Sequence, residues 1–366
     1  MAAFAMTRIR SLRRHSLIAF VLTIASCSES GTPVETVVPA DAATAVDASA
    51  SDGGGSIDGG GTAWTPVAEP TNGPLMVWGA LVADIDPERA VLFGGTTATA
   101  FGGTTLDSAY LYEWIEGGLV ATEIGSGSGP AARYCGCAVH DETRGVVIVA
   151  GGRDLEGPFL AEAETWELDL EANTWHRWSG STPPATLGCM LAQTDDGQVY
   201  WFGGASPSGA TNTLYRAEGE EWETVAINGD APPARYDGVL WADPQGLLLF
   251  AGSAAAFNAD FYSDVWRFAD GSWTRIDAGE GVRGRRVPWF RPTGDGFVFH
   301  GGLDENMNPM AGLYRWTFEG GFEELSVEAP LEPRGFAAAL PTPEGYGAML
   351  SGYDGDGPVR EILWLR

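Results

Sequence analysis

The sequence contains no lysine, and its 21 basic residues are all arginine, against 49 aspartates and glutamates. The net charge is −28. Binding to nucleic acid depends on neutralising phosphates with basic side chains, so this balance argues against a nucleic-acid partner. Histidine is also scarce: the four histidines are scattered along the chain at positions 15, 140, 176 and 300. A histidine-based zinc or copper centre needs several such ligands together, so we predict no metal site and no cofactor.

Catalytic signatures are missing as well. The sequence has no GxSxG segment of the kind that carries a hydrolase nucleophile. Its glycine pairs follow apolar runs but lack the GxGxxG or GxxxxGK[ST] spacing of a phosphate-binding loop. We therefore predict no catalytic residue and favour a binding function over an enzymatic one.

Long hydrophobic runs are absent, and the apolar run of residues 17–25 is shorter than the roughly 20 residues that span a bilayer. It follows four arginines, and residues 1–26 contain no acidic side chain, which is typical of an export signal. The segment ends Ile24-Ala25-Ser26-Cys27, which resembles a bacterial lipobox. The resemblance implies that Cys27 carries lipid, and Ser28 after it implies the outer membrane, with the lipid as the only membrane contact. The alternative is an ordinary secreted protein.

Residues 27–61 contain no aromatic side chain and are rich in Gly, Ser, Ala and Asp. Such a composition buries too little apolar surface to offset the entropy of ordering, so we predict a disordered tether. The folded domain is then expected over residues 62–366.

A glycine-ended apolar run recurs six times in that domain. The runs end at Gly95, Gly152, Gly204, Gly252, Gly302 and Gly352, at intervals of 57, 52, 48, 50 and 50 residues. A regular period of this length indicates a repeat architecture. Each unit reads as four short strands separated by turns rich in Gly, Asp, Asn and Pro.

Large aromatic side chains recur in the third strand of each unit, at Tyr112, Trp166, Tyr215, Trp266, Tyr314 and Trp364. An aromatic at a repeated position is most simply packed between sheets. The sixth unit ends after its third strand, while residues 63–67 form a spare strand in which Trp64 matches Trp175 of the second unit. We expect this strand to complete the last sheet, because closure removes an open edge that would invite aggregation.

The glycine-ended strands and the third-strand aromatics resemble the kelch-repeat family of β-propellers, over residues 62–366. The resemblance implies an all-β fold: a six-bladed propeller of four-stranded antiparallel blades, closed by an N-terminal strand in the last blade.

Arginines recur where the first strands begin, and the family resemblance implies that they surround the mouth of the central channel. They are Arg133, Arg235, Arg285 and Arg334. Four guanidinium groups at one mouth would form an anion site, since their forks suit carboxylates, sulfates and phosphates. The alternative is that each arginine pairs with a neighbouring acid. Variable loops share this face, and the loop of residues 254–262 presents Phe257 and Tyr262 as candidate contacts for a partner.

Three cysteines remain after Cys27, at positions 135, 137 and 189. Cys137 and Cys189 each lie 14 residues before the first position of a glycine pair. They should therefore occupy matching places on adjacent inner strands, and a bridge from Cys189 to either Cys137 or Cys135 is open.

Together these observations predict a lipid-anchored envelope protein whose propeller binds a protein or an acidic glycan without catalysis. The alternative is a carbohydrate-active propeller similar to the sialic-acid mutarotases, which hold an acidic sugar at the channel mouth.

Overall fold

The computed structural model describes residues 62–70, 72–75, 77–99, 102–155, 164–184, 187–256, 259–328 and 331–366. The predicted export signal, Cys27 and the predicted tether lie outside these ranges. Within them the regular secondary structure is β-strand, and no helix there is long and apolar enough to cross a membrane.

The strands form six four-stranded antiparallel sheets, which are the six blades of a β-propeller. Blade 1 contains β2 (Leu81–Asp86), β3 (Arg89–Phe93), β4 (Ala109–Ile115) and β5 (Gly118–Ile124). Blade 2 contains β6 (Tyr134–Asp141), β7 (Val146–Arg153), β8 (Thr165–Asp169) and β9 (Thr174–Arg177). Blade 3 contains β10 (Met190–Gln193), β11 (Val199–Phe202), β14 (Leu214–Glu218) and β15 (Glu221–Thr224), with a small hairpin of β12 (Ala205–Ser206) and β13 (Gly209–Ala210) in one loop.

Blade 4 contains β16 (Tyr236–Asp243), β17 (Gly246–Ser253), β18 (Val265–Ala269) and β19 (Ser272–Asp277). Blade 5 contains β20 (Trp289–Thr293), β21 (Gly296–His300), β22 (Leu313–Thr317) and β23 (Gly321–Glu324). Blade 6 contains β24 (Ala338–Leu340), β25 (Gly347–Leu350) and β26 (Ile362–Leu365), and its outermost strand is β1 (Trp64–Pro66). The predicted closure by an N-terminal strand is confirmed, with Trp64 opposite Leu365.

The propeller has two different ends. The loop end carries the connections between second and third strands and the links between blades, which in blade 5 are residues 301–312 and 278–288. The turn end carries the short turns, which in blade 5 are residues 294–295 and 318–320. Ala63 and Arg366 exchange two backbone hydrogen bonds of 3.2 Å each. Because Arg366 follows the third strand of blade 6, the chain enters the propeller at the turn end.

Apolar side chains fill the spaces between neighbouring blades, as expected for strands that are buried on both faces. Between blades 2 and 3, Trp201 and Trp222 pack with ring centroids 5.3 Å apart, and Trp178 stacks on Trp222 at 5.4 Å. All three tryptophan side chains are buried. These three tryptophans therefore help to join blade 2 to blade 3.

The register of the third strands differs from the sequence alignment in two blades. In each blade, the residue just before the glycine pair is paired with a residue of the third strand. The residue that follows this partner is Trp166, Tyr215, Trp266 and Tyr314 in blades 2 to 5. In blade 1 it is Tyr110 rather than Tyr112, and in blade 6 it is Leu363 rather than Trp364. The predicted alignment of those two aromatics was wrong, because loops of unequal length precede these strands. A shift of one residue reverses the face, so Trp364 turns towards blade 1 and meets Trp114.

A continuous ring of backbone hydrogen bonds surrounds the channel near the loop end. In each blade, one N–H donates to the carbonyl of the equivalent residue in the preceding blade, at 2.9–3.4 Å, and blade 1 donates to blade 6. All six residues have positive φ, although only two are glycine. This channel ring consists of Gly79, Cys135, Gly188, Asp237, Val287 and Phe336.

The closing strand packs on a buried histidine. Trp64 lies 5.1 Å from the ring of Trp289 and 5.8 Å from the ring of His300, measured between centroids. His300 is 1% exposed. Burial lowers the pKa of His300 to about 4, from an ordinary value of 6.5. The imidazole is therefore neutral in the folded protein at neutral pH.

We expect acid to weaken the fold through His300. Between about pH 6.5 and pH 4 the unfolded histidine binds a proton that the folded one does not, so stability falls as the pH falls. The shift predicts a loss of about 2.5 kcal/mol between pH 7.5 and pH 4.5. Urea unfolding at both pH values measures this contribution: on going from pH 7.5 to pH 4.5, the wild type should lose about 2.5 kcal/mol more stability than a His300→Leu variant.

The comparison with His300→Leu is needed because Asp84 contributes stability as the pH falls, which opposes the effect of His300. Burial raises the pKa of Asp84 to about 6, although Arg291 across the channel lowers it in part. The matched control is His176→Gln, since His176 is exposed and paired with Glu220. An identical pH dependence in wild type and His300→Leu would contradict the assignment.

Candidate functional site at the loop end

The four predicted arginines occupy equivalent places at the loop end, but their side chains are buried. Arg133, Arg235, Arg285 and Arg334 are 1%, 0%, 1% and 4% exposed. In each, Nη1 donates to the carbonyl at the first position of its own blade's glycine pair, at 2.9, 3.0, 2.8 and 3.4 Å respectively. Each guanidinium group thus ties the start of the first strand to the end of the second.

The backbone of the same arginines joins neighbouring blades. The carbonyls of Arg133, Arg235, Arg285 and Arg334 accept from the second glycine of the preceding blade, at 2.8–3.0 Å. A Cβ at Gly203 would lie 2.4 Å from the carbonyl oxygen of Arg235. This close approach explains why glycine is favoured there, and its φ of +67° adds a second reason. Ala251 and Ser351 hold the same left-handed backbone in blades 4 and 6.

Three of the four guanidinium groups also meet a carboxylate. Arg235 pairs with Asp264 at 2.7 Å, Arg133 pairs with Glu164 at 3.4 Å, and Arg334 contacts Glu361. Each of these acids lies just before or at the start of a third strand. This is the arrangement expected if the arginines are structural. The acids were not singled out from the sequence, although Glu164 and Asp264 each precede a third-strand tryptophan by two residues.

Arg285 has aromatic neighbours in place of a carboxylate. Its guanidinium carbon lies 4.8 Å from the ring of Phe299 and 5.1 Å from the ring of Tyr314. Burial lowers the pKa of Arg285 to about 10, so the group stays charged at neutral pH. Cation–π attraction replaces the ion pair in this blade.

Tyr262 lies over Arg235, with 4.0 Å between the guanidinium carbon and the ring centroid. Burial raises the pKa of Tyr262 above its ordinary value, against the opposing charge of Arg235. The phenol is half-buried and therefore partly accessible from the loop end. Phe257, the other aromatic candidate of this loop, lies outside the described residues.

A second buried arginine joins blades 4 and 5 beside the channel ring. Arg286 is fully buried and donates to the hydroxyl of Tyr236 at 2.7 Å and to the carboxylate of Asp237 at 3.3 Å. It also contacts Met307 from the loop of blade 5. Sequence reasoning noticed the cluster of arginines here but not Asp237, whose role depends on a positive φ that the sequence does not reveal.

Aromatic side chains close the loop end on the opposite side of the ring. Trp78 lies 5.4 Å from Tyr134, 5.2 Å from Phe336 and 5.7 Å from Tyr353, measured between ring centroids. The indole N–H of Trp78 donates to the carbonyl of Ala98 at 3.0 Å. These residues come from blades 1, 2 and 6, so the cluster spans the point where the propeller closes.

A disulfide joins Cys137 of blade 2 to Cys189 at the start of blade 3, with the Cα atoms 5.5 Å apart. The bridge therefore links two inner strands, 52 residues apart in sequence. Cys135 is buried and not part of the disulfide; it lies in the channel ring. In the described part of the chain, no three His, Cys, Asp or Glu side chains are grouped to hold a metal ion.

Comparison with known proteins agrees with this architecture. The family model for the KLHDC2/KLHL20/DRC7 kelch-repeats domain matches residues 78–302. A solved structure titled "Structure of YjhT" matches with a TM-score of 0.63 and 13% identity, covering 81% of this chain and 99% of that one. At this identity the likeness concerns the fold alone.

Two curated human proteins are similar in sequence. Kelch domain-containing protein 1 is 27% identical over 124 residues, which cover 31% of this chain and 30% of that protein. Multiple epidermal growth factor-like domains protein 8 is 26% identical over 313 residues, which cover 75% of this chain and 10% of that protein. The chain thus spans less than a third of the length of either relative.

Proposed function

Because the chain belongs to the kelch-repeat family of β-propellers, we propose that it is a non-catalytic binding module that recognises a protein or an acidic glycan at its loop end. The observation that carries this proposal is the fixing of the loop-end arginines inside their own blades. Each one braces the strand ends from which the loops project. The loops themselves differ in length and sequence from blade to blade, and variable loops on a rigid frame are where binding sites usually lie.

The position of the chain entry supports an anchored orientation. The described chain begins next to Arg366 at the turn end, opposite the loop end. A lipid on Cys27, connected through the predicted tether of residues 27–61, would therefore join the propeller at its turn end. The loop end would then carry no connection to the anchor. We propose the outer membrane as the location, on the basis of Ser28 after Cys27.

A photo-crosslinking experiment on the full chain tests this function. A photoreactive amino acid in place of Tyr262 should give a specific adduct in membranes of the producing cells, because this side chain is accessible at the loop end. The matched control places the same group at Glu171, an exposed residue of a turn between β8 and β9. A Cys27→Ala variant should leave the membrane fraction. Adducts at Glu171 and none at Tyr262 would contradict the proposal.

An acidic-sugar site is the second candidate, favoured by the cluster of Arg286, Asp237 and Tyr236 beside the channel ring. An arginine and an acid at the channel mouth are what the resemblance to the sialic-acid mutarotases implies. Because these side chains are buried, a sugar would reach them only after the Met307 contact with Arg286 opens. Calorimetry separates the candidates: heat on titrating sialic or uronic acids, lost in Arg286→Met, would favour the sugar site. Interconversion of sugar anomers by the protein would exclude the non-catalytic function.

A further inference from the structure

A groove of about 470 Å³ lies at the turn end, between blades 6 and 1. Trp114 and Trp364 form its aromatic walls, residues 65–68 of the closing segment form one side, and the turns containing Glu88 and Glu116 form the rim. The groove is at the opposite end of the propeller from the loop-end site and shares no residue with it.

The two indoles are fixed by their own N–H groups. Trp114 donates to the carbonyl of Pro341 at 2.7 Å, and Trp364 donates to the carbonyl of Glu344 at 2.8 Å. Their ring centroids are 5.0 Å apart and their planes are tilted by 44°. Since the N–H donors are used, the surfaces left for a ligand are the π faces. Ile115 beside them is 52% exposed and extends the apolar floor.

A cation already lies on one of these π faces. The guanidinium carbon of Arg366 is 4.1 Å from the centroid of the Trp364 ring. The face of an indole attracts cations through its quadrupole, and arginine is the cation most often found there. The exposed carboxylates of Glu88 and Glu116 line the same groove. The indole faces and carboxylates of this groove are therefore suited to binding a positively charged group.

The surrounding surface has the matching charge. Ten of the eleven short turns at this end contain an aspartate or glutamate, and the eleventh follows Asp243. A basic segment approaching the turn end would be attracted over the whole face and could bury a side chain in the aromatic groove. An acidic or neutral segment would gain no such attraction.

We propose that this groove binds an arginine side chain of a basic partner segment. The guanidinium group lies against Trp114 and Trp364, and its charge is balanced by Glu88 and Glu116. Arg366 occupies part of the site in the free protein and competes with the incoming arginine. This inference is independent of the function proposed for the loop end.

The test uses the full chain and a fluorescent Gly-Arg-Gly-Arg-Gly peptide, followed by anisotropy at low and moderate salt. A peptide with citrulline in place of arginine has nearly the same shape without charge and should bind at least about tenfold more weakly. Trp114→Ala should weaken binding of the arginine peptide by about tenfold. Arg366→Ala should strengthen it by about fivefold, because the internal competitor is removed.

Matched surface variants separate the groove from general attraction to an acidic face. Glu116→Gln should weaken binding severalfold, whereas Glu319→Gln, at the equivalent turn of blade 5, should leave it unchanged. These two exposed substitutions also keep the test valid if Trp114→Ala fails to fold. Equal effects of Glu116→Gln and Glu319→Gln, equal binding of the citrulline peptide, or binding of a neutral oligosaccharide in place of the arginine peptide would each overturn the proposal.

Discussion

Replacing Asp264 by alanine is expected to lower the free energy of unfolding by about 3–5 kcal/mol, because it leaves a charged guanidinium group buried without its counterion. Arg235 is fully buried and pairs with Asp264 at 2.7 Å. The same carboxylate accepts from the indole of Trp266 at 2.7 Å, so a second, half-buried donor also loses its acceptor. Urea unfolding followed by tryptophan fluorescence measures the loss.

A double variant shows whether the loss comes from the isolated charge. Arg235→Met combined with Asp264→Leu replaces the ion pair with apolar groups of similar volume and should be less destabilising than Asp264→Ala alone. Glu361→Ala is the comparison in blade 6, where the carboxylate is about one-third exposed. It should cost less, because water can reach the remaining partner. A loss below about 0.5 kcal/mol for Asp264→Ala would mean that the pair does not brace the blade.

Removing the disulfide with Cys137→Ala and Cys189→Ala is expected to cost about 4 kcal/mol, from the greater entropy of the unfolded chain. The two cysteines are 52 residues apart, so the bridge closes a loop that covers most of one blade and its connection. The wild type reduced with dithiothreitol should unfold at a urea concentration similar to that of the double variant. Cys135→Ala, which leaves the bridge intact, is the control and should cost about 1 kcal/mol. Identical midpoints with and without reductant would contradict the prediction.

The fold could be predicted largely because the residues that repeat from blade to blade have strong local conformational or packing preferences. Glycine pairs mark the points where an arginine carbonyl of the next blade comes close, and they recur at the blade period. The position of Trp64 relative to Trp175 identified the closing strand for the same reason, since both occupy the outermost strand of a blade. These signals do not depend on the lengths of the loops.

Where the prediction failed or was incomplete, loop length or backbone conformation was decisive. Trp364 is displaced by one residue from the expected register. Because successive side chains of a strand point to opposite faces, its side chain lies on the opposite face of the sheet. The positions of the loop-end arginines could be predicted from sequence, but the direction in which each side chain points could not. Whether a guanidinium group points into the channel or into its blade depends on Asp264 and its equivalents, which the chain brings close only after folding. The channel ring was not predicted, because four of its six positions hold residues that rarely adopt positive φ.

The channel ring has an electrostatic consequence of its own. Its six amide groups all donate in the same direction around the axis, so each carbonyl is polarised by the N–H that it receives, and the effect passes from blade to blade without a first or last member. Dipoles arranged head to tail in a circle cancel one another as vectors. The hydrogen bonds can therefore reinforce one another while adding almost no net field along the axis, unlike the end of a helix, and the potential at either opening is left to the side chains.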